Sequence, residues 1–212
     1  PKQTYGEVRP GDIRYKDVNA DGKIDDDDVV PIAHSNVPQI QYGFALEYRY
    51  KRWTISALFT GAAKVNFLYG GSGFYPFSGG EVGNILSIVN DPKNRWTPAW
   101  YSGDPSTENP NARFPRLTYG ENKNNNRAST FWLADGSYLR WKSLDISYRI
   151  GTNKALRTVG ISDMNLQFVG QNLAVWDSVK LWDPGQASKN GAVYPLPVSY
   201  THLRAHETLA NL

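Results

Sequence analysis

The sequence contains no cysteine and a single methionine among its 212 residues. Without cysteine there can be no disulfide, no cysteine-ligated zinc or iron–sulfur centre and no thiol nucleophile. No apolar run approaches the roughly 18 residues that a membrane-spanning helix needs. The formal net charge is only +3 and no run of lysine or arginine reinforces it, so we expect no nucleic-acid partner.

Recognisable catalytic groups are also missing. We find no nucleophile beside a base, no glycine loop for phosphate and no pair of carboxylates that can be placed in one cleft, so the sequence does not predict an enzyme. Asp12 and Asp104 are interpreted as isolated, solvated loop acids. Aromatic residues, in contrast, are plentiful, with 7 Trp, 13 Tyr and 8 Phe, alongside 19 Gly and 13 Pro. This composition favours a β-rich protein.

Strict alternation of apolar and polar side chains predicts a β-hairpin over residues 39–63. The first strand carries its apolar side chains at every second position from Ile40 to Tyr50. A short break at Lys51 and Arg52 precedes a second alternating run that begins at Trp53. The first run is about twice as long as the usual soluble strand of about 5–6 residues.

Beyond the hairpin, strands and long connections alternate. Residues 69–136 lack periodicity and predict one long loop, residues 137–172 predict two more strands with a bulge before Ser143, and residues 173–197 predict a second long loop. Short and very long connections in alternation are typical of outer-membrane barrels, which have short periplasmic turns and long extracellular loops. A soluble β-sandwich with decorated loops stays open as the alternative, since about four strands do not establish closure of a barrel.

Several short segments, in order along the chain, resemble the SusC/RagA family of TonB-dependent outer-membrane transporters. They are PGDIRYKDVN at 10–19, GKID at 22–25, PQIQY at 38–42, NRWTP at 94–98, FPRL at 114–117, STFWL at 129–133, DGSYLR at 135–140 and GQNL at 170–173.

The resemblance implies an all-β fold made of the C-terminal strands of a transmembrane antiparallel β-barrel, with long extracellular loops. Members of the family have about 22 strands and an N-terminal plug. They lie in the outer membrane of Bacteroidota, import oligosaccharides or peptides with energy from TonB, and work with a SusD-like surface lipoprotein. The expected partners are therefore that lipoprotein, outer-membrane lipid, and TonB through an N-terminal region that this chain lacks.

Loop lengths also predict the orientation. Residues 1–37, 69–136 and 172–197 should face outwards, whereas residues 51–52 and 151–162 should be periplasmic. From about Val198 the sequence departs from the family and resembles the translation of a sequencing adapter. We therefore interpret residues 198–212 as an artefactual tail, with a divergent final strand as the alternative.

Residues 17–28 match a twelve-residue calcium loop. Asp17, Asn19 and Asp21 occupy positions 1, 3 and 5, Gly22 permits the turn at position 6, and Ile24 is the apolar anchor. The remaining predicted ligands, at positions 7, 9 and 12, are the Lys23 carbonyl, Asp25 and Asp28. Aspartate replaces the usual glutamate at position 12 and no flanking helices are expected, so the predicted role of Ca²⁺ is structural. The alternative is an acidic, solvated turn.

Loop aromatics offer weak candidates for substrate binding by stacking on sugar rings, although such residues more often pack loops together. These candidates are Trp96, Trp100, Trp132 and Trp176. A rival interpretation of the whole chain is a secreted β-sandwich that binds glycans through a calcium-stiffened loop. A barrel fragment should need detergent, whereas a sandwich should be a soluble monomer.

Overall fold

Two units make up the fold in a computed structural model, which describes residues 1–80, 83–151, 157–158, 160, 163–186 and the backbone of 199–201. The strand unit comprises Val37–Val65, Asp135–Gly185 and Pro195–Leu212. The loop unit comprises Pro1–Asn36, Asn66–Ala134 and Gln186–Tyr194.

Strands dominate the described residues. They are β1 (Lys2–Gln3), β2 (Lys23–Ile24), β3 (Ile40–Tyr50), β4 (Trp53–Ala63), β5 (Asn66–Leu68), β6 (Leu133–Asp135), β7 (Tyr138–Arg149), β8 (Asn165–Asp177) and β9 (Ser199–Thr201). The sheet of the strand unit has the order β3-β4-β7-β8-β9 and is antiparallel throughout. Its four long strands contain 11, 11, 12 and 13 residues, at or just above the length of a tilted membrane strand of about 9–11 residues. The predicted all-β fold is confirmed.

One face of this sheet is apolar across all four long strands. The register aligns Phe44 with Phe59, Phe59 with Trp141, and Ile55 with Ile146 and then Phe168. The rings of Phe44 and Phe59 stack with centroids 4.9 Å apart. Large side chains on this face are exposed, and they include Tyr42, Phe44, Leu46, Tyr48, Tyr50, Trp53, Ile55, Phe168 and Trp176. The opposite face is mainly polar, because the side chains of a strand alternate.

The β-bulge predicted in the third long strand is confirmed. Trp141 pairs with Phe59 and Ser143 pairs with Leu58, so Lys142 is an extra residue relative to β4. Strand β8 also departs from simple pairing at this level, where Asn172 has a φ of 52°. This irregularity interrupts the alternation along the sequence, which explains why β8 extends to Asp177, five residues beyond the predicted end.

A glycine in β4 admits a tyrosine across the sheet. A Cβ atom on Gly61 would lie 2.4 Å from both the Tyr138 carbonyl oxygen and the Tyr42 ring. The Tyr42 hydroxyl donates to that same carbonyl over 2.9 Å. Tyr42 therefore covers the glycine and joins β3 to β7 across β4.

The loop unit has a core of its own, although its sequence lacks periodicity. Two single-turn helices, α1 (Ser87–Asn90) and α2 (Ala99–Ser102), and 3-10 turns at Asp26–Asp28, Pro105–Thr107 and Thr130–Trp132 connect its short strands. The buried apolar side chains of this unit are Ile24, Phe67, Tyr69, Phe74, Val89, Phe114 and Trp132. Aromatic edge-to-face contacts, such as Phe67 with Phe74 and Tyr75 with Trp132, hold this core together.

Some predicted segments lie partly outside the described residues. These parts are 81–82 of the first long loop, 152–156, 159 and 161–162 of the predicted periplasmic connection, 187–197 of the second long loop, and 198 and 202–212 of the predicted tail. Residues Ser199–Thr201 pair with Val169–Gln171. Within the described residues, no helix has the length and apolar character needed to cross a bilayer.

Candidate functional site

The acidic loop of residues 17–28 is organised by bonds from its carboxylates to its own backbone. Asp17 accepts from the amides of Ala20 and Gly22, at 2.7 and 3.0 Å. Asn19 and Asp21 each accept from the amide two residues later. Gly22 has a φ of 85°, which a side chain would strain. The predicted turn glycine therefore has the conformation that the calcium-loop pattern requires.

Asp28 closes the loop on itself. One of its oxygens accepts from the Val18 amide at 2.6 Å and from the Asn19 amide at 3.3 Å, and the other accepts from the Asp25 amide at 3.0 Å. These backbone bonds, the one from Val18 above all, lower the pKa of Asp28 below its ordinary value. The resulting stabilisation is present above the ordinary carboxyl pKa and is lost as the pH falls through the lowered value.

The apolar anchor of the loop is buried as predicted. Ile24 is 1% exposed and lies in β2, which pairs in parallel with β1. The donor set is chemically suited to a hard cation, because carboxylate and amide oxygens are the ligands that Ca²⁺ prefers. Among the residues that the structure describes, however, no group of three or more Asp, Glu, His or Cys side chains is arranged to hold a metal ion. Calcium binding therefore stays a prediction.

Asp26, at position 10 of the loop, bonds to a residue outside the loop. Its Oδ1 lies 2.6 Å from Nη2 of Arg127. The guanidinium carbon of Arg127 lies 3.6 Å from the centre of the Tyr5 ring. The bond between Asp26 and Arg127 could not be predicted from the sequence, since an arginine alone does not indicate its partner.

The interpretation of Asp12 as an isolated, solvated loop acid is wrong. Instead of being solvated, its side chain is fully buried, with 0% exposure. Its oxygens accept from the Arg9 amide and from Arg116 Nη2, Asn122 Nδ2 and Asn125 Nδ2, at 2.8 to 3.1 Å. Arg116 Nε is also 2.8 Å from Asp12 but makes no directed hydrogen bond, so this second contact is purely ionic. We call Asp12 and these four partners the Asp12 hub.

The asparagines around the hub belong to the interior of the loop unit. Asn124 and Asn125 are both buried, although a run of three asparagines would normally indicate a surface turn. Asn124 Oδ1 accepts from Gln3, and the Asn125 carbonyl accepts from the Trp132 indole at 2.7 Å. Tyr15 donates its hydroxyl to the Asn124 carbonyl, and burial raises its pKa to about 12, so it remains protonated at physiological pH.

The four candidate stacking tryptophans lie in different environments. Trp132 is 2% exposed, and the Trp96 ring covers Gly11, where a Cβ would meet it at 2.2 Å. These two residues therefore pack the loop unit. Trp176 lies on β8, on the apolar face, and not in a loop as expected. Of these four tryptophans, only Trp100 has a largely exposed ring in a loop. It is 84% exposed and makes an edge-to-face contact with Tyr101.

An open groove of about 560 Å³ lies beside the Asp12 hub. Trp96 and Phe131 contribute aromatic surface, and Arg14 and Lys16 contribute positive charge. Aromatic surface with a few polar and charged groups beside it is the usual lining of a ligand groove, so this groove is a candidate binding site.

Comparison with known proteins indicates which proteins resemble this sequence and this sheet. No family model matches the chain. The chain is 27% identical over 174 residues to a TonB-dependent receptor of Formosa agariphila, covering 82% of this chain and 16% of that protein. The chain is SusC/RagA-like. Its fold matches the RagAB peptide transporter with a TM-score of 0.53 at 22% identity, and the RagAB peptide importer in a closed state with 0.54 at 21%.

The resemblance to SusC/RagA-like TonB-dependent transporters that the motifs indicated is thereby confirmed. Each structural match covers 80% of this chain and 17% of the chain compared, so the chain spans about a sixth of the proteins that it matches. These proteins are described as receptors and transporters. An open sheet with one apolar and one polar face is what a piece of such a barrel should look like.

Proposed function

We propose that this chain is part of an outer-membrane importer of large nutrients, either oligosaccharides or peptides. The observation that carries the proposal is the two-faced sheet, in which long strands expose aromatic and aliphatic side chains on one face and polar side chains on the other. In an outer-membrane barrel the apolar face meets lipid and the polar face lines the interior. A soluble β-sandwich would bury one of the two faces.

Aromatic side chains at the hairpin end of the sheet also support a membrane location. Trp53 and Tyr148 are in contact, with ring centroids 4.6 Å apart, and Tyr50 pairs with Trp53 in the neighbouring strand. Trp176 and Tyr42 occupy the same face near the other end. Rings at the two ends of an apolar band suit the two interfaces of a bilayer.

The proposed partners are TonB and a SusD-like surface lipoprotein. Support comes from the curated relative, which is a TonB-dependent receptor, and from the structural neighbours, which are RagAB peptide transporters. The loop unit, with its own core and its groove, would meet the incoming nutrient and the lipoprotein at the cell surface.

Uptake in cells carrying the full-length parent tests the proposal. Fluorescent short peptides or fluorescent oligosaccharides should enter the periplasm of these cells, and a protonophore should reduce uptake to that of a strain without the parent gene, since the TonB system is powered by the proton gradient. Fluorescence retained after washing measures uptake. Equal uptake of both probes with and without the parent gene would reject the assignment.

We also propose that the acidic loop binds Ca²⁺ as a structural ion. The spacing of its ligands, the turn at Gly22 and the closure by Asp28 support this proposal. Extracellular sites of this kind have dissociation constants of about 10⁻⁴ to 10⁻³ M. The ion would offset repulsion among the carboxylates and hold residues 17–28 in one conformation.

Substitutions in the full-length parent separate a specific calcium site from a diffuse acidic patch. Asp17→Ala and Asp21→Ala should each abolish the protection of residues 17–28 from proteolysis by Ca²⁺, because each removes a charged ligand. Asp27→Ala should retain it, since position 11 supplies no ligand, and so should Asp26→Ala, whose bridge to Arg127 is largely exposed. Calorimetry with and without chelator measures the affinity. Equal weakening by Asp27→Ala and Asp21→Ala would identify a diffuse patch.

A further inference from the structure

The segment that follows β8 folds back over the polar face of the sheet. We call residues 178–185 the strap. Asp183 of the strap lies 2.5 Å from Nη2 of Arg140, and the two side chains are only 5% and 7% exposed. Arg140 pairs with Thr60 and Val175, in the row of side chains on the face opposite to Phe59 and Trp141. The strap therefore contacts the polar face.

A second contact places the strap on the same face. A Cβ atom on Gly185 would lie 3.5 Å from the Tyr138 hydroxyl and 3.7 Å from Arg140 Nη2, so the strap backbone lies directly against both side chains. Asp183 Oδ1 also accepts from the Gly185 amide at 2.8 Å, which orients the carboxylate toward Arg140. Tyr138 and Arg140 are two residues apart in β7 and point to one side of the sheet.

One apolar side chain of the strap and one at this end of the sheet are also buried. Val179 is 0% exposed, and Ala62, which pairs with Tyr138, is 2% exposed. Lys180, the next residue along the strap, is exposed. The strap thus presents one side to protein and the other to solvent.

From these contacts we propose that the strap is an inward-folded segment, latched by the Arg140–Asp183 ion pair, that restricts access to the polar face from the outer end of the barrel. This inference rests on the proposed function, which makes the polar face the barrel interior. A buried ion pair suits a latch because loss of either partner leaves the other charge buried and unpaired, which strongly destabilises the closed arrangement. Loss of either Arg140 or Asp183 should therefore release the strap.

Cysteine labelling on intact cells tests the latch. The chain has no native cysteine, so Val179→Cys supplies the one thiol in this part of a full-length parent, and the parent that keeps Val179 gives the background labelling to subtract. A membrane-impermeant maleimide should label Val179→Cys slowly in the otherwise unchanged protein. Addition of Asp183→Ala or Arg140→Ala should speed labelling by about tenfold or more, because the strap opens. The exchanged pair, Arg140→Asp with Asp183→Arg, should restore protection.

Matched controls separate the latch from the orientation of the barrel. Lys180→Cys should label from outside in every background, whereas Lys51→Cys, in the turn between β3 and β4, should label only after the outer membrane is permeabilised. Failure of Lys180→Cys to label on intact cells would reject the orientation and the proposed function. Labelling of Lys180→Cys with continued protection of Val179→Cys in the Asp183→Ala background would overturn the latch alone.

A milder variant covers the case in which Asp183→Ala does not assemble. Arg140→Lys keeps the charge but loses the planar, multiple donors of the guanidinium. Labelling of Val179→Cys at a rate above that of the unaltered pair supports the latch. Protection equal to that of the unaltered pair overturns it.

Discussion

Replacement of Phe59 by arginine in the full-length parent should block assembly of the barrel in the outer membrane. Phe59 lies near the middle of β4, stacked between Phe44 and Trp141 on the apolar face, with ring centroids 4.9 and 5.7 Å away. An arginine facing lipid near the bilayer midplane costs about 2–4 kcal/mol, before the loss of aromatic packing is counted. The SDS-resistant folded band in unheated samples, compared with the unfolded band after boiling, measures the assembled fraction in gel electrophoresis.

Ser56 provides the matched control three residues earlier in the same strand. It lies on the polar face, where its register neighbours are Glu47 in β3 and Asp145 in β7. Ser56→Arg should therefore assemble normally, because the new charge faces the interior between two carboxylates. If Ser56→Arg lost as much folded protein as Phe59→Arg, the assignment of lipid and interior faces would be wrong.

Removal of the Asp12 carboxylate should disorder the loop unit while the strands remain folded. Asp12→Ala leaves Arg116, whose side chain is only 17% exposed, without its counter-charge, and leaves two asparagine amides without an acceptor. Loss of one partner of a buried pair costs about 3–5 kcal/mol. Limited proteolysis of the parent in detergent should show rapid cleavage in residues 83–134, with the folded band retained.

Glu7→Ala is the control for the loss of an acidic side chain in the same unit. Glu7 pairs with Arg9 at 2.9 Å, but both side chains are mostly exposed, so the change should have little effect on stability. Asp12→Ala combined with Arg116→Ala should recover part of the lost resistance, because no charge is then left unpaired. Equal cleavage of the Asp12→Ala and Glu7→Ala proteins would show that the hub does not hold the loops.

The strands could be predicted from the sequence because their side chains obey a simple period. Alternation from Ile40 onwards predicted the hairpin, which the pairing of β3 with β4 confirms, and the interruption before Ser143 predicted the bulge. The end of β8 was missed because the irregularity at Asn172 and Leu173 disturbs the alternation there. Period-based reasoning works only where the backbone is regular.

The interior of the loop unit could not be predicted, because long-range polar contacts create it. Asp12 is joined to Asn125 across 113 positions of sequence, and Gln3 to Asn124 across 121. Aspartate, asparagine and glutamine are mostly exposed in proteins, and their burial is possible here because each polar group has a hydrogen-bond partner. The acidic loop is the opposite case, since the bonds among residues 17–28 themselves span at most ten positions and the turn glycine was predicted from spacing alone.

The bulge at Lys142 also determines which changes in chain length β7 can accept. Omission of the codon for Lys142 would leave Leu139 and Trp141 with Leu144 on one face, since regular alternation then runs through the strand. Omission of the codon for Ile146 would instead turn Ser147 towards lipid and Tyr148 towards the interior. Length variants among naturally occurring forms of this strand should therefore collect at position 142, where a missing residue leaves both faces intact.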